Sequence, residues 1–395
     1  MSKKSTFIEI HVIQTVPPSN LNRDENGSPK TGVFGGVRRA RVSSQSWKKA
    51  ARDTFAPEFK GVRTRNVIDI IARILTEKRD DLGEDAKEIA LQALETVKVV
   101  KVTSKKVDRD KLIETGDLQA VQFLTAGQLT EFGNLVAEFV DLFPVEVSKE
   151  QLTDTQKKDL EARIKSFAAR AKCALKDGIT VDVALFGRMF ANLDDLNVDA
   201  TSQVAHAISV HAVDNEFDNW TATSDEKSSS RSGNSADGMG TTEFNSSTLY
   251  RYANIDITHL AERLRGGLGI SAEEGATAFI QGFITSMPTG MQNSFANRTV
   301  PDAVVIAVRE GQPVNLVTAF EDAVVEDSDR SRAQITAERL AAEFGGVKEF
   351  LPVHKAAWVV RSKDAYAPLD GVENAVRATL VTAISSAVET AVSGI

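Results

Sequence analysis

The chain has one cysteine, Cys173, in 395 residues, so it can form no disulfide within itself. A solitary thiol fits a reducing cytoplasm. No uncharged apolar run approaches the roughly 20 residues of a membrane-spanning helix. The opening MSKKSTFIEIHVIQTV alternates polar and apolar residues too early for the apolar stretch of a signal peptide. Also missing are the phosphate-loop pattern GxxxxGK followed by Ser or Thr, the nucleophile elbow GxSxG, the zinc-protease pattern HExxH and any pair of cysteines. His206 and His211 are five positions apart, on opposite faces of a strand and on no shared helical face, so they make no metal pair. These absences predict a chain without catalytic residues, metal or cofactor, in the cytoplasm and away from membranes.

What is present is mostly acidic: 47 Lys and Arg against 55 Asp and Glu, a net charge of −8. One window reverses the sign. Between Lys30 and Arg65 stand ten cations, opposed by Asp53 and Glu58 alone, for a local charge of +8. That reversal is the footprint of a polyanion site confined to one groove. Within it, Phe34-Gly35-Gly36 lets the backbone turn tightly and lie close to a ligand. Arg38, Arg39 and Arg41 follow in extended-favouring company with Val37 and Val42. Ser43 and Ser44 can cap a helix from about Gln45, whose N-terminal N–H groups and dipole suit a phosphate. Gln45, Lys48, Lys49 and Arg52 share one face of that helix, and Trp47, Ala51 and Phe55 share another that can bury. Glycines, serines and cations converging on one helix start weigh against a merely solvated basic helix.

Along the chain, Thr6–Val16 reads as a central strand ended by Pro17-Pro18. His11 on it reads as a core or groove histidine. A long loop to Val42 precedes the basic helix, and its length points to function. A mainly helical lobe follows, about 58–200, with short strands expected at Val97–Val102 and Ala120–Leu124. Its cations Lys157, Lys158, Arg163, Lys165, Arg170 and Lys172 read as a solvated face with i,i+4 pairs. Strands are expected at Ile179–Phe190, Val204–Val213, Thr248–Asp256 and Asp302–Arg309, and helices at Ala272–Ser286 and Ser331–Phe344. Asp214–Ser247 is polar, and its Lys227–Ser235 stretch would not fold alone; it reads as the mobile tip of a protruding hairpin. Gly371–Val392 reads as a C-terminal helix on the body. This alternation suits an α+β core of the RRM or ferredoxin type, although the RRM's aromatic RNP1 pattern is absent.

The strings Leu21-Asn22-Arg23-Asp24 and Phe34-Gly35-Gly36-Val37-Arg38-Arg39-Ala40-Arg41-Val42-Ser43-Ser44-Gln45-Ser46 resemble the CasC family, the backbone subunit of the type I-E CRISPR Cascade complex. So do Ala184-Leu185-Phe186-Gly187-Arg188-Met189, Val204-Ala205-His206-Ala207-Ile208 and Tyr250-Arg251-Tyr252-Ala253-Asn254-Ile255. The resemblance covers the chain to about Val325. It implies an RRM-like palm, an inserted helical fingers lobe and a β-hairpin thumb at about 214–247. It implies CRISPR RNA as ligand, target DNA met through guide pairing, other Cascade subunits as partners, and copies of the chain joined head to tail along the guide. Arg23, Lys30, Ser43, Gln45, Lys48, Lys49 and Arg52 match guide-contacting positions, with Arg38, Arg39 and Arg41 as additions. Trp220-Thr221 looks like the thumb position that wedges at a flipped base. Met189 is similar to a finger-side residue supporting that kink, though a core methionine is an equal reading. Because the spacer sequence varies, phosphate contacts are expected to dominate.

Two other readings stay open at this point. One is a metal-dependent endoribonuclease of the related type III backbone kind, with Asp24 at the phosphate; an Asx-turn is the plainer role for that residue. The other is a phosphate-handling metabolic enzyme using Gly35-Gly36, which would hold mononucleotides and ignore long RNA.

Overall fold

A computed structural model describes residues 4–100, 109–118, 120–143, 153–190, 193–222, 238–265 and 267–395. The expected tip Lys227–Ser235 lies outside them. The strands are β1 Thr6–Ser19, β2 Thr31–Phe34, β3 Val37–Val42, β4 Val62–Thr64, β5 Gln122–Leu124, β6 Ser202–Val204, β7 Ala207–Ser209, β8 Glu216–Ala222, β9 Gly238–Asp256, β10 Ala303–Glu310, β11 Ala356–Arg361 and β12 Ala375–Arg377. The helices are α1 Ser44–Asp53, α2 Val67–Lys78, α3 Asp85–Thr96, α4 Arg109–Thr115, α5 Ala126–Glu138, α6 Asp154–Lys176, α7 Val181–Phe186, α8 Ile257–Leu264, α9 Ala272–Thr285, α10 Gln292–Phe295, α11 Arg332–Gly346 and α12 Leu380–Val392. The chain divides into two compact units, one of Met1–Phe55, Ser202–His259 and Ala272–Ile395, the other of Ala56–Thr201 and Leu260–Ser271.

The first unit is built on a sheet in the order β12-β11-β10-β1-β9-β7-β3-β2, with β6 and β8 also pairing β9. Its pairs are antiparallel except β11 with β12. Within it, β1-α1-β7-β9-α9-β10 traces the ferredoxin-like path, with β1 between β10 and β9. Both faces of the sheet are covered. Helix α9 packs against α1 and α12. Ile13, Tyr250, Phe320, Leu340, Phe344 and Tyr366 form a second core with α11. Burial on both faces explains why alternation along β1 puts polar residues inside. His11 Nδ1 meets the Tyr250 hydroxyl at 2.9 Å, and burial first, then the Arg309 charge, lowers its pKa to about 3, so it is neutral. Pro17 and Pro18 do not end β1; they occupy a register shift between Val16 and Ser19, where proline costs no ladder bond.

The second unit is a helical bundle. Phe132, Phe139 and Phe143 surround Phe167, at ring-centre distances of 6.2, 5.8 and 5.1 Å. Arg163 and Arg170 of α6 pair with Asp141 and Glu138, so their carboxylates come from elsewhere in the bundle and not from i,i+4 neighbours. The stretch expected as a strand at Ile179–Phe190 holds helix α7 instead. Its VDVALF run is buried throughout except Phe186, and a short apolar run carries no period to separate the two structures. Val97–Val100 is a turn with Lys98 at φ 65°, not the start of a strand; residues 101 and 102 are not described. The C-terminal helix begins at Leu380, where the Thr379 hydroxyl accepts from Thr382 N, and β12 precedes it.

Candidate nucleic-acid interface

Loop 20–30 is organised from within. Asp24 Oδ1 accepts from Asn26 N at 2.9 Å and Ser28 N at 3.0 Å, which makes it the turn-forming residue. Asn22 joins this loop to the basic helix: its carbonyl accepts from Lys30 N at 2.8 Å and its Oδ1 from Ser43 N at 2.9 Å. Buried Asn20 donates to the carbonyls of Gly27 and Glu243, and so joins the loop to the root of the β8–β9 hairpin. Arg23, Lys30 and Arg41 then line one open cleft of about 570 Å³ with Asp24 and Glu25. A second cleft of about 510 Å³ runs along Leu21–Glu25 to Gly290. A side chain at Gly290 would strike the Leu21 carbonyl at 2.3 Å, so this approach requires glycine.

Gly35 and Gly36 have φ of +58° and +78°, as a two-residue hairpin turn between β2 and β3 demands. The close approach that Gly35 permits is to the chain itself: an added Cβ would lie 1.6 Å from the Glu321 carbonyl oxygen. That corrects the expectation of a ligand at this backbone. Arg39 needs a second correction. It is fully buried, and donates to the carbonyls of Phe34, Ser209, Phe320 and Glu321. It staples the β2–β3 hairpin to the body and has no surface for a ligand. Its neighbours differ: Arg38 points to the opposite face of β3 by alternation, whereas Arg41 shares the face of Arg39 but lies near the end of the strand. Arg38 is exposed, and Arg41 lies beside His206, with Nη1 3.1 Å from Nδ1.

Helix α1 has the two faces expected. Trp47, Ala51 and Phe55 are buried, while Gln45 and Lys49 are exposed and Lys48 and Arg52 half-buried. Ser43 is the N-cap and is itself buried, its hydroxyl accepting from Ser46 N. It shapes the helix start more than it offers a contact. Lys49 Nζ lies 2.6 Å from Asp53 Oδ2, an exposed i,i+4 pair. Burial lowers the Lys48 pKa. The pKa of His206 is lowered by burial first and then by the Arg41 and Lys30 charges, which registers the positive potential of the cleft.

On the hairpin, Trp220 is 49% exposed and its indole lies over Gly240, the residue paired with it on β9. Thr221 points to the opposite face, so the two cannot grip one base together. Thr221 pairs with Met239, and shares its face with Phe217; all three stand in solvent. Met239 escaped the sequence reading because nothing in a Ser/Gly-rich stretch marks its register. Met189 is 82% exposed in the second unit, which removes the core reading. It follows Arg188, which is buried and donates to the Leu196 and Leu175 carbonyls and to Gln128 Oε1. Burial pulls the Arg188 pKa down to about 10.

Among the described residues no cluster of three or more His, Cys, Asp or Glu could hold a metal, and no helix is long and apolar enough to cross a membrane. The family described as CT1975-like protein, a Cas family, matches residues 8–386. No curated protein matches the chain. A solved chain titled "CRISPR RNA-guided surveillance complex, pre-nicking" is 30% identical, with a TM-score of 0.77, and the match covers 98% of this chain and 100% of that one. Another, titled "CRISPR RNA-guided surveillance complex", is 27% identical with a TM-score of 0.68, covering 97% and 99%.

Proposed function

The chain belongs to the CT1975-like family of Cas proteins, and from that premise we propose that it is a CasC-type backbone subunit of a type I-E Cascade complex, without enzymatic activity. In this reading it binds CRISPR RNA by its phosphates, repeats head to tail along the guide, and leaves bases free to pair with target DNA in the cytoplasm. A heterologous interface between copies generates an open helical filament. The observation that carries the reading is the cleft of Arg23, Lys30 and Arg41 joined through Asn22 to helix α1, one cationic surface on an acidic chain. Phosphate contacts hold a strand without reading it, which a variable spacer requires. The guide-contacting set is then Arg23, Lys30, Arg41, Gln45, Lys48, Lys49 and Arg52, with Arg38 at its edge and Trp220, Thr221 and Met189 as candidates at junctions between copies.

The test is whether the protein purified from cells carries RNA of one discrete length. Incubation with Mg²⁺ and labelled RNA addresses the enzymatic alternative. Regular cleavage products that vanish in Asp24→Ala would overturn the non-enzymatic reading.

A further inference from the structure

Arg251 stands on β9 with none of its surface exposed. Its Nη1 donates to Gln14 Oε1 and its Nη2 to the Phe283 carbonyl, while Nε has no partner. Its guanidinium carbon lies 3.7 Å from the centre of the Trp47 ring system and 4.7 Å from that of Phe283. No carboxylate stands among these partners. Burial is the one influence on its titration, which falls to about 9. The same sheet shows how this chain neutralises a buried guanidinium when it does so: Arg309, 3% exposed, has Glu9 at 3.1 Å. An unpaired buried cation is costly in any core. Oxygen acceptors and aromatic faces offset only part of that cost.

The placement suggests what the charge is for. Trp47 lies on the inner face of α1 with Ala50 and Ala51, and Lys48, Lys49 and Arg52 stand on the same helix. We propose that Arg251 is a positioning residue of the RNA interface that never touches RNA: it holds Trp47 from inside the core, and its charge, with no carboxylate partner among the described residues, adds to the potential that draws a polyanion to α1. The proposal rests on the RNA-binding reading above. The field of a buried charge is screened by salt only where it leaves the protein, between α1 and the RNA.

The experiment, run at about pH 6 so that a buried ammonium can hold its proton, compares the full chain with Arg251→Met, which keeps bulk and loses charge, and Arg251→Lys, which then keeps charge and loses the planar fork. The probe is single-stranded RNA of two unrelated sequences, bound at low and at high salt, with a melting curve for each protein free of RNA. Arg251→Met is expected to bind about tenfold more weakly at low salt, with the gap closing as salt screens it. Arg251→Lys is expected to stay within about threefold of the unaltered chain. A Met variant that binds normally, or whose deficit is the same at every salt and follows its loss in melting temperature, overturns the proposal. So does a Lys variant as weak as the Met one; if Arg251→Met does not fold, that comparison with the unaltered chain decides alone. An unaltered chain that binds no RNA would instead refute the function on which the proposal rests.

Discussion

Helix α1 allows a quantitative test, because its two lysines sit in different surroundings. Each phosphate contact to a single strand releases counterions, and contributes roughly 0.7 to the slope of log affinity against log salt. Lys48 is half-buried and its pKa is depressed by burial, so a phosphate beside it gains from the removal of water. Lys49 is exposed and already holds Asp53 at 2.6 Å. Such surface pairs are worth about 0–1 kcal/mol, so RNA can displace this one at small cost. We therefore expect Lys48→Ala to flatten the slope by the full ~0.7 and Lys49→Ala by somewhat less. Asp53→Asn should tighten binding, by up to about fivefold if the exposed pair is worth its upper ~1 kcal/mol. Folding should be nearly unaffected, since neither lysine lies on the Trp47–Ala51–Phe55 face. The assay is RNA binding over a salt series with two unrelated spacers. A variant that keeps the original slope, or that discriminates between spacers, would refute the phosphate-clamp account.

Three other perturbations have definite signs. Burial, Arg41 and Lys30 hold His206 below the usual histidine range in the free protein. A bound polyanion should offset those cations and raise the pKa, so RNA affinity should increase as pH falls through the bound-state value. The gain should be complete below the free-state value and absent in His206→Asn, as binding measured between about pH 5 and 8 will show. Gly35→Ala forces a left-handed residue and a Cβ onto the Glu321 carbonyl; the strain should cost about 1–3 kcal/mol and lower the melting temperature by several degrees. Trp220→Ala, at a half-exposed site on the hairpin, should leave the melting temperature nearly unchanged yet weaken assembly on RNA by roughly 1–3 kcal/mol per junction; an unaltered assembly constant with a lower melting point would assign the indole a structural role.

Most of the frame could be read in the sequence where one signal dominated. The amphipathic pattern of α1, with its serine cap, needed only local physics, and so did helix α11, expected at Ser331–Phe344. The α+β class followed from the order of elements. What failed had no local signal. Helix α7 and a buried strand share the same apolar run. Arg39, Arg41 and Arg251 look alike in sequence, and only the tertiary fold decides that the first and last face inward while Arg41 lines the cleft. Gly35 was rightly singled out as a close approach, but what approaches it is Glu321, almost 290 residues away, a distance no motif spans.

Strand β9 runs unbroken from Gly238 to Asp256, pairing with β8 at one end and with β1 at the other. At about 3.3 Å per residue it measures about 60 Å. It carries Gly240 beneath Trp220 near its start and Arg251 beneath Trp47 near its end. One strand is shared by the core and the hairpin, so the described part of the hairpin is a beam continued from the sheet. If copies meet through that beam, its length sets their pitch as a ruler would. Deleting one residue from the paired β8–β9 segment would then do more than shorten the reach: the side-chain period of 2 would turn every residue beyond the deletion to the other face.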